Sequence, residues 1–168
     1  MHSGKVKAIG VSNFTTTDID RLIAECSIIP ADNQIELHPY LQQPKFAAYH
    51  REKGIHVTQF SPMGPKKKRS PANKSPLDDA VIIDIAKKYN KTPGQVILAW
   101  GICHGRSVIP KSSTPARIKE NFAAASLKLS NGDIAKLDTL DKRIRINRPG
   151  EEWNVAVSVF QGLPDYQD

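Results

Sequence analysis

Long hydrophobic runs are missing from this chain of 168 residues. No stretch approaches the roughly 20 consecutive apolar residues of a membrane span, and the opening MHSGKVKAIG lacks the apolar centre of a secretory leader. The expected address is the cytoplasm, with no membrane contact. Cysteine is scarce: Cys26 and Cys103 have no paired spacing, which argues for reduced, buried thiols over a disulfide framework. His2, His38, His50, His56 and His104 are scattered, with no HExxH-like cluster, so no metal site is expected. Acidic residues are the minority, 17 against 24 Lys and Arg. The resulting charge of +7 points to an anionic partner without separating a nucleotide from nucleic acid. The basic run at 66–69, in PKKKRSPANKSP, has no aromatic stacking platform beside it, so nucleic-acid binding is not expected. Its Pro, Ser and Asn content and lack of apolar period read as a loop, either a solvated insertion or a lid over a bound phosphate. A GxGxxG fingerprint is also absent, which argues against a Rossmann nucleotide site.

What is present is a repeat of short apolar runs alternating with helical periodicity, in a length that suits one domain. Strands are expected near 7–11, 33–37, 55–60 and at Val108 and Ile109. Helices are expected over 18–26, from Pro44 to the stop at Gly54, over 78–89, over 93–104, from Pro115 and over 131–140. Trp100 reads as core rather than ligand contact. Ser130 with Asp133 has capping-box spacing, with Asp in place of the usual Glu or Gln. This alternation predicts an α/β fold of four parallel strands faced by helices, with Ser12, Asn13, Gln34, Ser61, Lys111 and Ser112 emerging at the carboxyl ends of the strands. In open α/β sheets and in (β/α)8 barrels that end of the sheet holds the ligand.

The stretch 108–121, VIPKSSTPARIKEN, is the most informative. Pro110 stops a brief strand, Thr114 is the expected N-cap, and Pro115 takes the first helical position. Arg117 then falls in the first turn, where the helix dipole disfavours a cation unless an anion sits beside it. Lys111, Ser112, Arg117 and Asn121 could converge on one phosphate together with free helix-start amides. The spacing alone leaves open the alternative that these side chains are only solvated.

Together GVSNF (10–14), NQIELHPYLQ (33–42), FSPMG (60–64) and IPKS (109–112) with its trailing Arg117 and Asn121 resemble, in order and spacing, the C-terminal half of the aldo-keto reductase family. These are NADPH-dependent (β/α)8-barrel enzymes that reduce carbonyls to alcohols. The resemblance spans most of residues 4–140 and implies a partial TIM-type barrel, its second half. It implies Ser12, Asn13 and Gln34 on the nicotinamide carboxamide and Phe60 as the stacking ring, where the family usually has Tyr or another aromatic. It implies Ser61, Met63 and Gly64 along the pyrophosphate, and Lys111, Ser112, Arg117 and Asn121 on the adenosine 2′-phosphate and adenine. A cationic pocket of that kind would favour NADPH over NADH. For Ser12, Asn13, Asn33 and Gln34, purely local roles remain open, as loop caps or partners of buried backbone.

The family's catalytic Tyr, Lys, Asp and His come from the first half of the barrel, and none has a counterpart here. Tyr40, Tyr49, Tyr89 and Tyr166 lie in other motifs, and Tyr40 reads as loop packing. The expected domain is therefore single, over 1–168, and incomplete at its N-terminus. Its tail, 142–168 with Trp153 and Phe160, resembles the loop that walls the substrate pocket. Four parallel strands cannot close a barrel and would leave two edges and an apolar inner face to be covered by self-association, by a partner carrying the other half, or not at all. The implied substrate is a small carbonyl compound. The alternative is a truncated, non-catalytic half-barrel that binds nucleotide or a partner without turnover.

Overall fold

The computed structural model describes residues 4–65 and 75–147. The basic run at 66–69, the tail with Trp153 and Phe160, and Tyr166 lie outside them. Four strands, β1 (Val11–Ser12), β2 (Asp32–Glu36), β3 (His56–Phe60) and β4 (Ser107–Ile109), form one parallel sheet in chain order. Between and after them run α1 (Thr16–Glu25), α2 (Pro44–Glu52), α3 (Ala80–Tyr89), α4 (Pro93–Cys103), α5 (Pro115–Ala123) and α6 (Asn131–Asp138). This is the expected partial barrel of four parallel strands with flanking helices.

Local chemistry explains most of the boundaries. Thr15 and Asp18 close a reciprocal cap on α1, and Thr92 and Gln95 do the same on α4, where Pro93 opens the helix. Such caps contribute about 1 kcal/mol each. Ser130 caps α6 by accepting from the Asp133 amide, but its own amide donates to the Tyr89 hydroxyl instead of closing the box. Three element starts differ from expectation. α1 begins at Thr16, two residues before the expected 18, because Thr15 is its cap. The apolar run at 7–11 contributes only Val11 to β1, because its one ladder contact below that point is the Ile9 carbonyl accepting from Ala31. The helix expected from 78 begins at Ala80, since Pro76–Asp78 makes a 3₁₀ turn and Asp79 is the residue that caps.

The two faces of the sheet have separate fates. Val57 and Gln59 of β3 and Asn33 and Ile35 of β2 are buried against the helices, while the alternating His56, Thr58 and Phe60 are half-buried or exposed. Register places Ser12, Gln34 and Thr58 in one row across that second face. The face is open, as expected, but it is not apolar: Ser12, Asp32, Gln34, His56, Thr58 and Ser107 share it with Phe60 and Ile109. The core lies on the helix side, where Ile35, Leu37, Phe46, Val57, Ile82, Ile97, Trp100 and Leu137 pack together. α4 is buried on every side from Gly94 to Gly101. Trp100 is fully buried, its indole N–H donating to Asp138 at 2.7 Å. The two thiols are free as expected, but neither is fully buried; Cys103, two residues past the buried run of α4, is exposed.

Candidate functional site

The sequence-predicted residues fall at one end of the sheet, where the strands give way to loops. Ser12 ends β1, and Asn13 follows it in a left-handed conformation, φ 58°. The Ser12 hydroxyl and the Asn13 amide both donate to the Gln34 carbonyl, at 2.8 and 3.0 Å. The Gln34 side chain makes no hydrogen bond among the described residues and stands on the open face, half-buried. Asn33 has the local role left open for it: its amide donates to the Phe14 carbonyl at 2.9 Å and lies 2.8 Å from His50 Nε2. Because His50 Nδ1 faces the Phe46 carbonyl at 2.7 Å, the ring carries its proton on Nδ1 and Nε2 accepts. Burial lowers its pKa, so it stays neutral.

Phe60 ends β3 on the open face, and Ser61 after it is again left-handed, φ 47°. Left-handed residues other than glycine are strained and cluster at functional turns; here two of them, Asn13 and Ser61, follow β1 and β3 at the same end of the sheet, on either side of β2. The Gly64 amide closes the turn on the Ser61 carbonyl at 2.9 Å. Gly64, φ 67°, could carry no side chain: a Cβ would lie 2.7 Å from Pro76 and 3.1 Å from His38 Nδ1. Met63 packs on the core, with its methyl against Gly94 of α4.

Past β4 the loop carries Lys111 and Ser112 to the start of α5, with Arg117 in its first turn and Asn121 one turn on. Lys111 and Arg117 are exposed and hold no ion pair among the described residues. Thr114 occupies the cap position, as expected, but its side chain makes no capping bond. The nearby hydroxyl of Ser112 accepts from the Thr114 amide at 3.2 Å instead. The first-turn amides of α5 therefore remain available, with two uncompensated cations beside them. Asn121 is half-buried, and its neighbour Glu120 is tied to α4 by the Thr92 hydroxyl at 2.5 Å.

Sequence reasoning passed over Glu36. It ends β2 fully buried, and its carboxylate accepts from His38 Nε2 at 3.1 Å, the Ile146 amide at 2.8 Å, the Asn147 amide at 2.8 Å and Asn147 Nδ2 at 3.0 Å. Burial alone would raise its pKa, but these donors outweigh it and hold the carboxyl below its ordinary range. Asn147 Nδ2 also reaches Ser61 Oγ at 3.2 Å. The available signal was a carboxylate set between the apolar Ile35 and Leu37, since a carboxylate buried there must find donors.

The family model described as aldo/keto reductase matches residues 1–142. The chain is 37% identical over 165 residues to the NAD(P)H-dependent D-xylose reductase of Candida tropicalis, covering 95% of this chain and 51% of that protein. It is 42% identical over 138 residues to the methylglyoxal reductase DkgA of Escherichia coli, covering 80% and 48%. Among solved structures it is similar to an aldo-keto reductase complexed with NADPH, with a TM-score of 0.79 and 32% identity, covering 98% of this chain and 53% of that one. An aldo-keto reductase from a deep-sea metagenome library aligns with the same TM-score at 33% identity, covering 88% and 52%. The chain thus spans about half the length of the relatives it matches.

Proposed function

The chain belongs to the aldo/keto reductase family, and from that premise we propose that it is the cofactor-binding half of an NADPH-dependent reductase that converts an aldehyde or ketone to an alcohol. The observation that carries the reading is the unspent positive charge beside the start of α5. Lys111 and Arg117 lack partners among the described residues, and no side chain caps the helix amides beside them. A phosphate monoester answers both needs at once. Ser12, Asn13 and Gln34 would hold the carboxamide, Phe60 the nicotinamide face, Ser61, Met63 and Gly64 the pyrophosphate, and Lys111, Ser112, Arg117 and Asn121 the 2′-phosphate and adenine. The Gln34 amide, with no other hydrogen bond among the described residues, fits a carboxamide in particular. Reduced nicotinamide bound there would supply the hydride. The proton for the carbonyl oxygen would come from a general acid on the other half of the barrel. Tyr40 is not that acid: its hydroxyl is buried and donates to Asp79 at 2.7 Å.

The test is equilibrium binding of NADPH and NADH by nucleotide fluorescence. Two exposed charge pairs contribute up to about 1 kcal/mol each, so NADPH should bind roughly tenfold tighter. Lys111→Ala with Arg117→Ala should erase the difference. Equal affinities in the wild-type chain would sink the proposal. Carbonyl-dependent NADPH oxidation is expected only when the chain is joined to the other half of a barrel. If NADPH binds but no such combination turns over, the non-catalytic reading stands.

A further inference from the structure

Glu36, Asn147 and Ser61 form a chain of hydrogen bonds that joins three distant parts of the sequence at the mouth of the site. The segment after α6 is stapled along the loop that follows β2. The Lys142 and Ile144 amides both donate to the Tyr40 carbonyl, at 3.2 and 3.0 Å. Gln42 Nε2 reaches the Leu137 carbonyl at 2.9 Å, and Arg145 reaches Gln43 Oε1 at 3.2 Å. Gln43 Nε2 in turn donates to the Glu36 carbonyl at 2.9 Å. The strap ends on the Glu36 carboxylate, which takes two successive amides and the Asn147 side chain.

The carboxylate fixes which way Asn147 faces. Only the amide nitrogen can lie against Glu36 Oε2, since the amide oxygen there would meet another acceptor. One N–H of Nδ2 is then spent on Glu36 and the other on Ser61 Oγ. Because Ser61 accepts from Asn147, its own O–H proton is left to donate elsewhere. We propose that Glu36 is a positioning residue: through Asn147 it turns the Ser61 hydroxyl into an oriented donor and stiffens the left-handed turn 61–64 to receive an anionic phosphate group. This rests on the reading that Ser61 faces the cofactor. A strained turn needs such outside support to persist, and a charged acceptor at the head of the chain strengthens the bonds downstream of it.

Hydrogen exchange and NADPH titration on the full chain decide the matter, with Glu36→Gln and Asn147→Ala as the two variants. Glu36→Gln should speed exchange at the Ile146, Asn147 and Gly64 amides, leave the α4 amides protected, and weaken NADPH binding roughly tenfold. Asn147→Ala keeps Ile146 on Glu36, so it should loosen Gly64 and weaken NADPH while Ile146 stays protected. Unchanged Gly64 exchange in both variants would overturn the positioning role, whatever the nucleotide does. Loosening of Gly64 with no change in NADPH affinity would overturn the link to the phosphate. If the wild-type chain does not bind NADPH at all, the cofactor reading falls, and Gly64 exchange still judges whether Glu36 orders the turn.

Discussion

Replacing Asp133 by Asn should destabilise the chain by about 2–3 kcal/mol at neutral pH. One carboxylate oxygen, Oδ2, accepts from Lys88 Nζ at 2.6 Å, the Ser130 hydroxyl at 2.6 Å and the Tyr89 hydroxyl at 2.7 Å, and the residue is 3% exposed. These bonds clamp the start of α6 to the end of α3. Lys88 is largely solvated, with its side chain 56% exposed, so its share is the smallest of the three. The two hydroxyl bonds are charge-assisted, and neutralising the acceptor roughly halves each, a loss of about 1 kcal/mol apiece. Urea denaturation should show a lower midpoint with an unchanged slope, and Lys88→Ala should cost less than Asp133→Asn. The pH dependence has a definite sign. Lys88, then Ser130 and Tyr89, hold the Asp133 pKa well below the ordinary carboxylate range. Its contribution is therefore complete above the unfolded value of about 4 and is lost as pH falls toward the folded one. The gap between wild type and variant should be widest at neutral pH and shrink below about pH 4. An Asn variant within about 0.5 kcal/mol of wild type at pH 7, or a gap that persists unchanged into acid, would refute this account.

Two further substitutions test the frame of the site. Gly10→Ala would put a methyl 2.9 Å from the Asp32 carbonyl oxygen, a backbone contact that cannot rotate away. It should lower the urea midpoint by the equivalent of about 1–3 kcal/mol and speed exchange of the Asn13 amide bonded to Gln34. Tyr40→Phe removes the donor 2.7 Å from Asp79 and should cost about 1–2 kcal/mol by thermal or urea unfolding. An unchanged midpoint would mean that Lys142, 3.4 Å from the same oxygen, compensates in full.

Helix starts were legible because their chemistry is local. Thr92 and Ser130 each act within three residues of themselves, and Pro44, Pro93 and Pro115 each open a helix; Thr15, which caps α1, was passed over. Asp79 was misread by the same logic: Asp78 looked like a helix start, but Pro76 gave it to a 3₁₀ turn. The strand order and the gathering of Ser12, Gln34, Ser61 and Lys111 at one end followed from parallel pairing. The polarity of the open face was written in HVTQF, whose alternation buries Val57 and Gln59 and leaves His56 and Thr58 outward, yet it is visible only once the buried face is known. Asn147 gave no signal. Its partners are Glu36 and Ser61, 111 and 86 residues away, and no local pattern encodes such a contact.

Glu36, His38 and Tyr40, alternating at the carboxyl end of a barrel strand, would by residue type make a fair set of acid–base groups. Their hydrogen bonds assign them otherwise. A general base must have a lone pair free for the proton it takes, and the Glu36 carboxylate is occupied by His38, two backbone amides and Asn147. A general acid works best with a pKa near the working pH, whereas burial and then the Asp79 carboxylate push the Tyr40 phenol above its ordinary range. Lys142 lies over that ring at 3.4 Å and reaches Asp79, so the phenol is a post to which the strap and the start of α3 are both tied. The HPY segment thus spends its polar chemistry on holding the segment after α6 across the end of the sheet. The strap delivers Asn147 to Ser61, while Gln34, Lys111 and Arg117, whose side chains make no hydrogen bond or ion pair among the described residues, stay available to the proposed nucleotide.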